Sequence, residues 1–445
     1  MSLQGEKLIK SVVNQGLCTH CGTCIALAQG KLGIASDDEG IIPKIEGDGI
    51  IENIVYDACP GKGLNYPELF LQVQKSLPDN FMIGPYLEGY IAYSNDESIR
   101  RQGASAGILS HVLIHLLESG KIQGAIVCKM DEEKPWNPKV YIAGTKAEIL
   151  ESAQSIYQPV PVNLILKDTA KYKGTLAMVG LPDQLASIRY LQKKEHPSVK
   201  NIAYLIGPYV GINMTVRAVH SFIRSNGVKN LDAIKSLDYR AGEWPGYLKI
   251  VTKDHRVFKA EKFYYNYLLP FYATRHSLLS VDFSNELADI SVGDAWHPAY
   301  EKERKGFSVV VIRSSKGREI FDQLKTDASI NAEKLEPADV LDMHGHMFDF
   351  KKRGAFIRIK FRKLFFRHCP DYGYVPEKIS VSRYFVEIFI WGVFLLCQNR
   401  MARTLVRYIP VNVIGYVFNK IRIGWKSVSK PTKRKGLKDQ VFRLT

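Results

Sequence analysis

No apolar stretch in the 445 residues approaches the twenty or so that a bilayer-crossing helix needs; the run at 388–397 holds ten. The opening MSLQGEKLIK has no apolar signal segment, and there are only seven cysteines, an odd number. A disulfide framework therefore has little to build on, and a chain this long buries a large core without one. The expected setting is a reducing cytoplasm. Internal repeats and long low-complexity tracts are missing too, which excludes solenoid and linker architectures. Acid is scarce in one place: residues 351–445 hold 22 Lys and Arg against 4 Asp and Glu, a charge of +18. The rest of the chain is close to neutral at −2, so the overall +16 belongs to one segment.

The body between about 85 and 345 alternates helical and strand-like patterns. "GASAGILSHVLIHLLESGKIQGAIVCKM" reads as loop, helix, strand; "GTLAMVGLPDQLASIRYLQKK" as strand, turn, helix; "VVVIRSSKGREIFDQL" as strand, helix. The fold class is α/β to α+β, with boundaries expected at 1–80 (a small, ferredoxin-like cysteine region), 81–350 (the mixed body) and 351–445 (a basic helical tail).

Three of the seven cysteines fall within CTHCGTC. The spacing C-x2-C-x2-C brings three thiolates onto one centre, and Cys59, before Pro60, supplies a fourth. One 4Fe–4S cluster on Cys18, Cys21, Cys24 and Cys59 is the expected metal centre, with Gly22 letting the loop turn tightly. Zinc usually takes two separated ligand pairs, and a thioredoxin-like pair leaves the third thiol unexplained; both remain as alternatives. Cys128, Cys369 and Cys397 read as packing thiols.

A lone cluster moves single electrons, and a flavin is the usual converter to hydride chemistry. "RRQGASAG", 100–107, offers small residues before a helix N-terminus, with Arg100 and Arg101 as phosphate candidates; a plain Gly/Ser N-cap fits the same stretch. His344 and His346 read as a domain-end loop, and Asp183 as a helix N-cap. No nucleophile with an adjacent base stands out, so the catalytic residue is unassigned.

CTHCGTC with DACP, "RRQGASAGILSHVLIHLLESGKIQGAIV", "VGLPDQLASIR", "IGPYVG", "YRAGEWPGYLKI" and "NELADISVGDAW" occur in the order that resembles the beta subunit family of coenzyme-deazaflavin hydrogenase and dehydrogenase. That family includes bacterial members encoded with polysaccharide genes. The resemblance covers roughly residues 10 to 350. It implies an iron–sulfur flavoprotein carrying FAD, with flavin contacts around Ser105, Ala106 and Gly107, and with Gly180, Pro182, Gly293, Asp294 and Trp296 near the flavin. It also implies a redox partner protein or a deazaflavin coenzyme. Many members carry cysteines where this chain has Asp183, Ser277 and Ser280, which implies that a second cluster is absent. A non-catalytic partner in envelope polysaccharide synthesis is the alternative.

In the tail, "SRYFVEIFIWGVFLLCQNR" and "TLVRYIPVNVIGYVFNKIRIGW" mix apolar and aromatic residues with Lys and Arg. A segment lying in the interface of an anionic membrane, which would make the protein peripheral on the inner face, and a helical hairpin docked on the body both fit. No nucleic-acid recognition element is identifiable, and the last residues are expected to be disordered.

Overall fold

The alternating patterns build one eight-stranded mixed sheet in a computed structural model that describes residues 3–47, 49–261 and 265–445. Its strands are β1 (Glu88–Ser94), β2 (Gly124–Met130), β3 (Pro138–Ala143), β4 (Leu176–Val179), β5 (Ile202–Pro208), β6 (Ile290–Asp294), β7 (Ser308–Ile312) and β8 (Ile330–Leu335). Their spatial order is β8-β1-β7-β6-β5-β4-β2-β3. The inner four, β2, β4, β5 and β6, run parallel, while β3, β7, β1 and β8 pair antiparallel. The chain is thus a mixed α/β protein.

Both faces of the sheet are covered, which is why strands such as "SVVVI" are apolar throughout. Helix α1 (Ile108–Glu118) packs Val112, Leu113 and Leu116 over Ala125, Ala177 and Ile206. Helix α2 (Pro182–Lys193) packs Leu185, Ile188 and Leu191 over Ile126, Met178 and Leu205 on the other side. Leu8, Val12, Leu17, Ile25 and Phe70 of the cysteine region belong to that second cluster, so residues 1–80 share the body's core. An antiparallel meander, Ile234–Ala241, Tyr247–Thr252 and Val257–Glu261, adds a small separate sheet.

The tail differs from expectation in three ways. Helix α3 (Pro337–Asp349) runs through a π-turn, Phe350–Gly354, straight into α4 (Ala355–Leu364), so a boundary at 351 cuts a continuous helix. Lys351, Lys352 and Arg353 are buried there; Lys352 pairs with Glu286 and Arg353 with Asp349, so a run of basic residues does not mark a surface segment. His344 and His346 fall within α3, which kinks at His344 (φ −120°, ψ 17°), and not in a domain-end loop; the His344 ring packs against Tyr209 and Phe283. The C-terminus is ordered: Phe442–Leu444 pairs antiparallel with Tyr374–Pro376, and Phe442 packs on Phe81. Helices α5 (Val381–Cys397) and α6 (Val411–Arg434) follow α4 and lie side by side, with Phe389 stacked on Trp425 at 4.4 Å.

Candidate functional site

Cys18, Cys21, Cys24 and Cys59 line one small pocket closed by Leu8, Val12 and Pro60. The loop turns at Gly22, whose φ of 87° and whose approach to Leu164 would place a Cβ 2.6 Å from the leucine side chain; only glycine fits. Burial raises the Cys18 and Cys24 thiols well above their ordinary value, and the neighbouring cysteines raise them further. Burial and Cys21 push Cys59 up to about 12. Cys18, Cys24 and Cys59 resist ionisation in this setting, and a bound cationic centre is what would turn them into thiolates. No group of three or more His, Cys, Asp or Glu among the described residues is set for a single metal ion. His20 lies in the pocket wall, its Nδ1 2.9 Å from the Ile41 carbonyl.

A second cavity of about 310 Å³ opens at the carboxyl ends of the parallel strands, where α/β sheets bind ligands. Its wall includes Ser105, Ala106 and Gly107 from the α1 turn, Gly180 from the α2 turn, and Gly293 and Asp294 from the end of β6. Six of the eight expected flavin residues therefore meet in one place. Gly107 has a φ of 74° and a Cβ there would come within 2.7 Å of the Ile99 carbonyl. It is also the N-cap of α1 and offers no side-chain cap, so the helix presents its free N–H groups to the cavity through Ile108, Leu109 and Ser110.

The other two residues stand behind the wall. Pro182 is buried at the first position of α2 and fixes where that helix begins. Trp296 stacks on Trp244 with centroids 4.7 Å apart, and Trp244 Nε1 donates to Asp294 Oδ1 at 3.1 Å. Arg100 and Arg101 do not face the cavity: Arg100 donates to the Gly306 carbonyl and covers the Tyr93 ring, and Arg101 pairs with Glu97 on the surface.

Sequence reasoning missed Arg240, although it lies within the quoted YRAGEWPG. Its Nη1 donates to Asp294 Oδ2 at 2.8 Å, its Nε to the Pro245 carbonyl at 3.0 Å, and it lines the cavity beside Tyr157. Gln158 is buried in the same wall with its Oε1 unpartnered. A fixed cation, an open amide acceptor and an uncapped helix N-terminus form a lining fit for a large polar cofactor with phosphate groups.

A buried polar bridge joins the two sites. Cys21 Sγ lies 3.2 Å from Thr23 Oγ1; Asn163 Nδ2 donates to that oxygen at 2.9 Å and to the Gln184 carbonyl at 3.1 Å; Asn163 N–H donates to the Cys21 carbonyl. Gln184 lines the cavity, and its side chain clamps Leu181 N–H and the Val160 carbonyl.

Beside this bridge lie the three positions noted for lacking cysteine. Asp183 is not the N-cap of α2, a place taken by Leu181; its Oδ2 sits 2.5 Å from His276 Nε2. Burial works to raise the Asp183 carboxyl, but His276 and then Lys351 outweigh it and hold it below the ordinary range. Lys351 Nζ, fully enclosed, donates to the Ser277 carbonyl at 2.8 Å and to Ser280 Oγ at 2.5 Å. An acid–imidazole pair and a separate lysine hydrogen-bonded to Ser277 and Ser280 fill this space, which lacks the thiols that a cluster would need.

Burial pushes Lys351 down to about 7. The unfolded chain keeps its lysine near the ordinary 10.5, so between these values it binds more protons and stability from this group rises with pH. Urea unfolding should show wild type gaining on Lys351→Met as pH goes from 7 towards 9.5; a pH-independent difference would contradict a lysine buried neutral.

Models of the coenzyme F420 hydrogenase/dehydrogenase beta subunit match this chain at residues 90–167 (N-terminal part) and 174–338 (C-terminal part), together more than half of it. The coenzyme F420-dependent sulfite reductase of Methanocaldococcus jannaschii is 24% identical over 399 residues, 86% of this chain. The chain spans 57% of that relative's length. The coenzyme F420 hydrogenase subunit beta of Methanosarcina barkeri is 26% identical over 263 residues, 57% of this chain and 84% of the relative. A chain in a structure of the F420-reducing NiFe hydrogenase complex from Methanosarcina barkeri superposes with a TM-score of 0.52 at 22% identity, over 65% of this chain and 96% of that one, a likeness of fold. With the two halves of the family matched in order across the sheet that frames the cavity, the chain belongs to the coenzyme F420 hydrogenase/dehydrogenase beta subunit family.

Proposed function

We propose that this chain is an iron–sulfur flavoprotein oxidoreductase. It would hold one 4Fe–4S cluster on Cys18, Cys21, Cys24 and Cys59 and FAD in the cavity below α1, and exchange electrons with a deazaflavin or an organic substrate. The observation that carries the reading is adjacency: the Cys21–Thr23–Asn163–Gln184 bridge runs from the thiol nest to the cavity wall through a few hydrogen bonds. The relatedness to a coenzyme F420-dependent sulfite reductase and to a coenzyme F420 hydrogenase subunit beta supports the deazaflavin link.

The chain's own residues would position and tune. Gly107 and the first N–H groups of α1 receive phosphate; Arg240, held by Asp294, offers a fixed cation to the electron-rich end of a ring system. Bound flavin supplies the conversion between hydride and single-electron transfer. The Asp183–His276 pair lines a small polar space between the two sites, with room for about one water.

Protein purified without oxygen should contain about four irons and one FAD per chain, with flavin and iron–sulfur absorption bleached by dithionite. Colourless protein lacking both would overturn the proposal and leave the second reading, a non-catalytic partner in polysaccharide synthesis, which the missing thiols at Asp183, Ser277 and Ser280 favour.

A further inference from the structure

Helix α5 is amphipathic in the reverse sense. Its inner face carries Arg383 and Glu387, both 0% exposed, followed by Phe394. Its outer face carries Val381, Phe385, Ile388, Phe389, Leu395 and Leu396, all exposed and recurring at helical spacing. Water-facing helices put charge outward, so this face is built for another medium.

The neighbouring surface continues it. Helix α6 exposes Val413, Tyr416, Val417 and Ile421 beside Lys420 and Lys426, and the end of α4 leaves Phe365 and Phe366 in the open, the latter 99% exposed, between Lys363 and Arg367. Of the 27 exposed large apolar side chains among the described residues, 21 lie in 351–445, a segment of charge +18 that keeps most of its Lys and Arg at the surface, with Lys351, Lys352, Arg353, Arg358 and Arg383 buried.

We infer that α5, α6 and the Phe365–Phe366 turn form a surface that seats the protein on an anionic lipid bilayer, with the apolar side chains in the headgroup–acyl boundary and the Lys and Arg rim at the phosphates. Charge decides the occupant: two copies of this face would set one strongly basic surface against another, whereas an anionic bilayer attracts it over long range. Geometry decides the depth. Among the described residues no single helix is long and apolar enough to cross, and α5 with Arg400–Tyr408 reaches that length only as a pair bent by 62°. The inner face of α5 is tied to the body by Asp349 and Arg358, so the helix lies along the boundary and does not pass through it.

The test is flotation of the full chain with vesicles. It should rise with vesicles containing about one-third phosphatidylglycerol and fall at least about tenfold on pure phosphatidylcholine or in high salt. Phe385→Asp with Leu396→Asp, both at exposed positions, should lower binding to the anionic vesicles by at least about tenfold while the thermal unfolding midpoint stays put. Absence of flotation with anionic vesicles, equal flotation of the double variant, or a lipid-free dimer that the variant disperses without any vesicle binding would each overturn the proposal.

Discussion

Replacing Cys59 with serine should reduce bound iron from about four per chain to near none, with loss of the broad iron–sulfur absorption, because three thiolates from one loop cannot close a four-ligand site and a serine hydroxyl is a poor ligand. Cys59 is the informative choice. It comes from the turn after Asn53–Asp57, 35 residues beyond the CTHCGTC loop, and joins the other three only through the fold. Cys369→Ser is the control: that thiol is half-buried, with its Sγ near the Arg367 and Ile359 carbonyls, and should leave iron unchanged. The proposed flavin cavity has other walls, so any FAD absorption should survive in Cys59→Ser. Unchanged iron in that variant would assign the metal to other residues.

Glu387→Gln should destabilise the folded protein by about 3–5 kcal/mol, read as a drop in urea midpoint, since it leaves buried guanidinium charge uncompensated. Glu387 Oε1 pairs with Arg358 and Oε2 receives Arg383 Nη2 at 2.6 Å, with all three side chains enclosed. Arg383 retains Asp349 at 2.8 Å; Arg358 retains the Leu278 and Phe350 carbonyls and the Phe350 ring, with no carboxylate among the ion pairs of the described residues. Arg358→Met combined with Glu387→Met should recover most of the loss, because removing one cation with one anion keeps the net charge of the buried cluster, with Arg383 and Arg353 sharing Asp349. Phe385→Ser, two residues away on the open face, should change stability by no more than about 0.5 kcal/mol. A Phe385 effect as large as that of Glu387 would show that α5 is oriented the other way.

Much of the fold was legible because periodicity and glycine breaks are local signals. The loop–helix–strand reading of 103–130 and the strand–turn–helix reading of 175–193 correspond to α1 with β2 and to β4 with α2. The cysteine spacing was legible for the same reason, and the ordered motifs brought six of the eight flavin candidates to one cavity. What escaped was set by partners distant in sequence. Lys351, Lys352 and Arg353 look like the start of a basic amphipathic tail until Ser280, Glu286 and Asp349 are placed beside them. Arg240 carries no signal of its own; its role appears when the meander brings it to Asp294, 54 residues on. Asp183 resembles a cap by position, and only the fold supplies His276. The orientation of α5 was unreadable for a physical reason: an apolar helix with two charges ordinarily turns the charges to water, and here paired ions hold them inward.

The π-turn at Phe350–Gly354 has a consequence for evolution of this chain. A π-turn is an α-helix that has absorbed one extra residue, and it lets the consecutive Lys351, Lys352 and Arg353 reach three separate partners. Deleting a single residue there would restore an uninterrupted α-helix yet rotate everything beyond it by about 100°. Arg358 would swing away from Glu387, and the strut that fixes the α5 face relative to the Asp183–His276 pair and Lys351 would lose its phase. Homologues with and without that one residue should therefore fall into two groups, distinguished by whether the outer face of the helix equivalent to α5 is oily or wet.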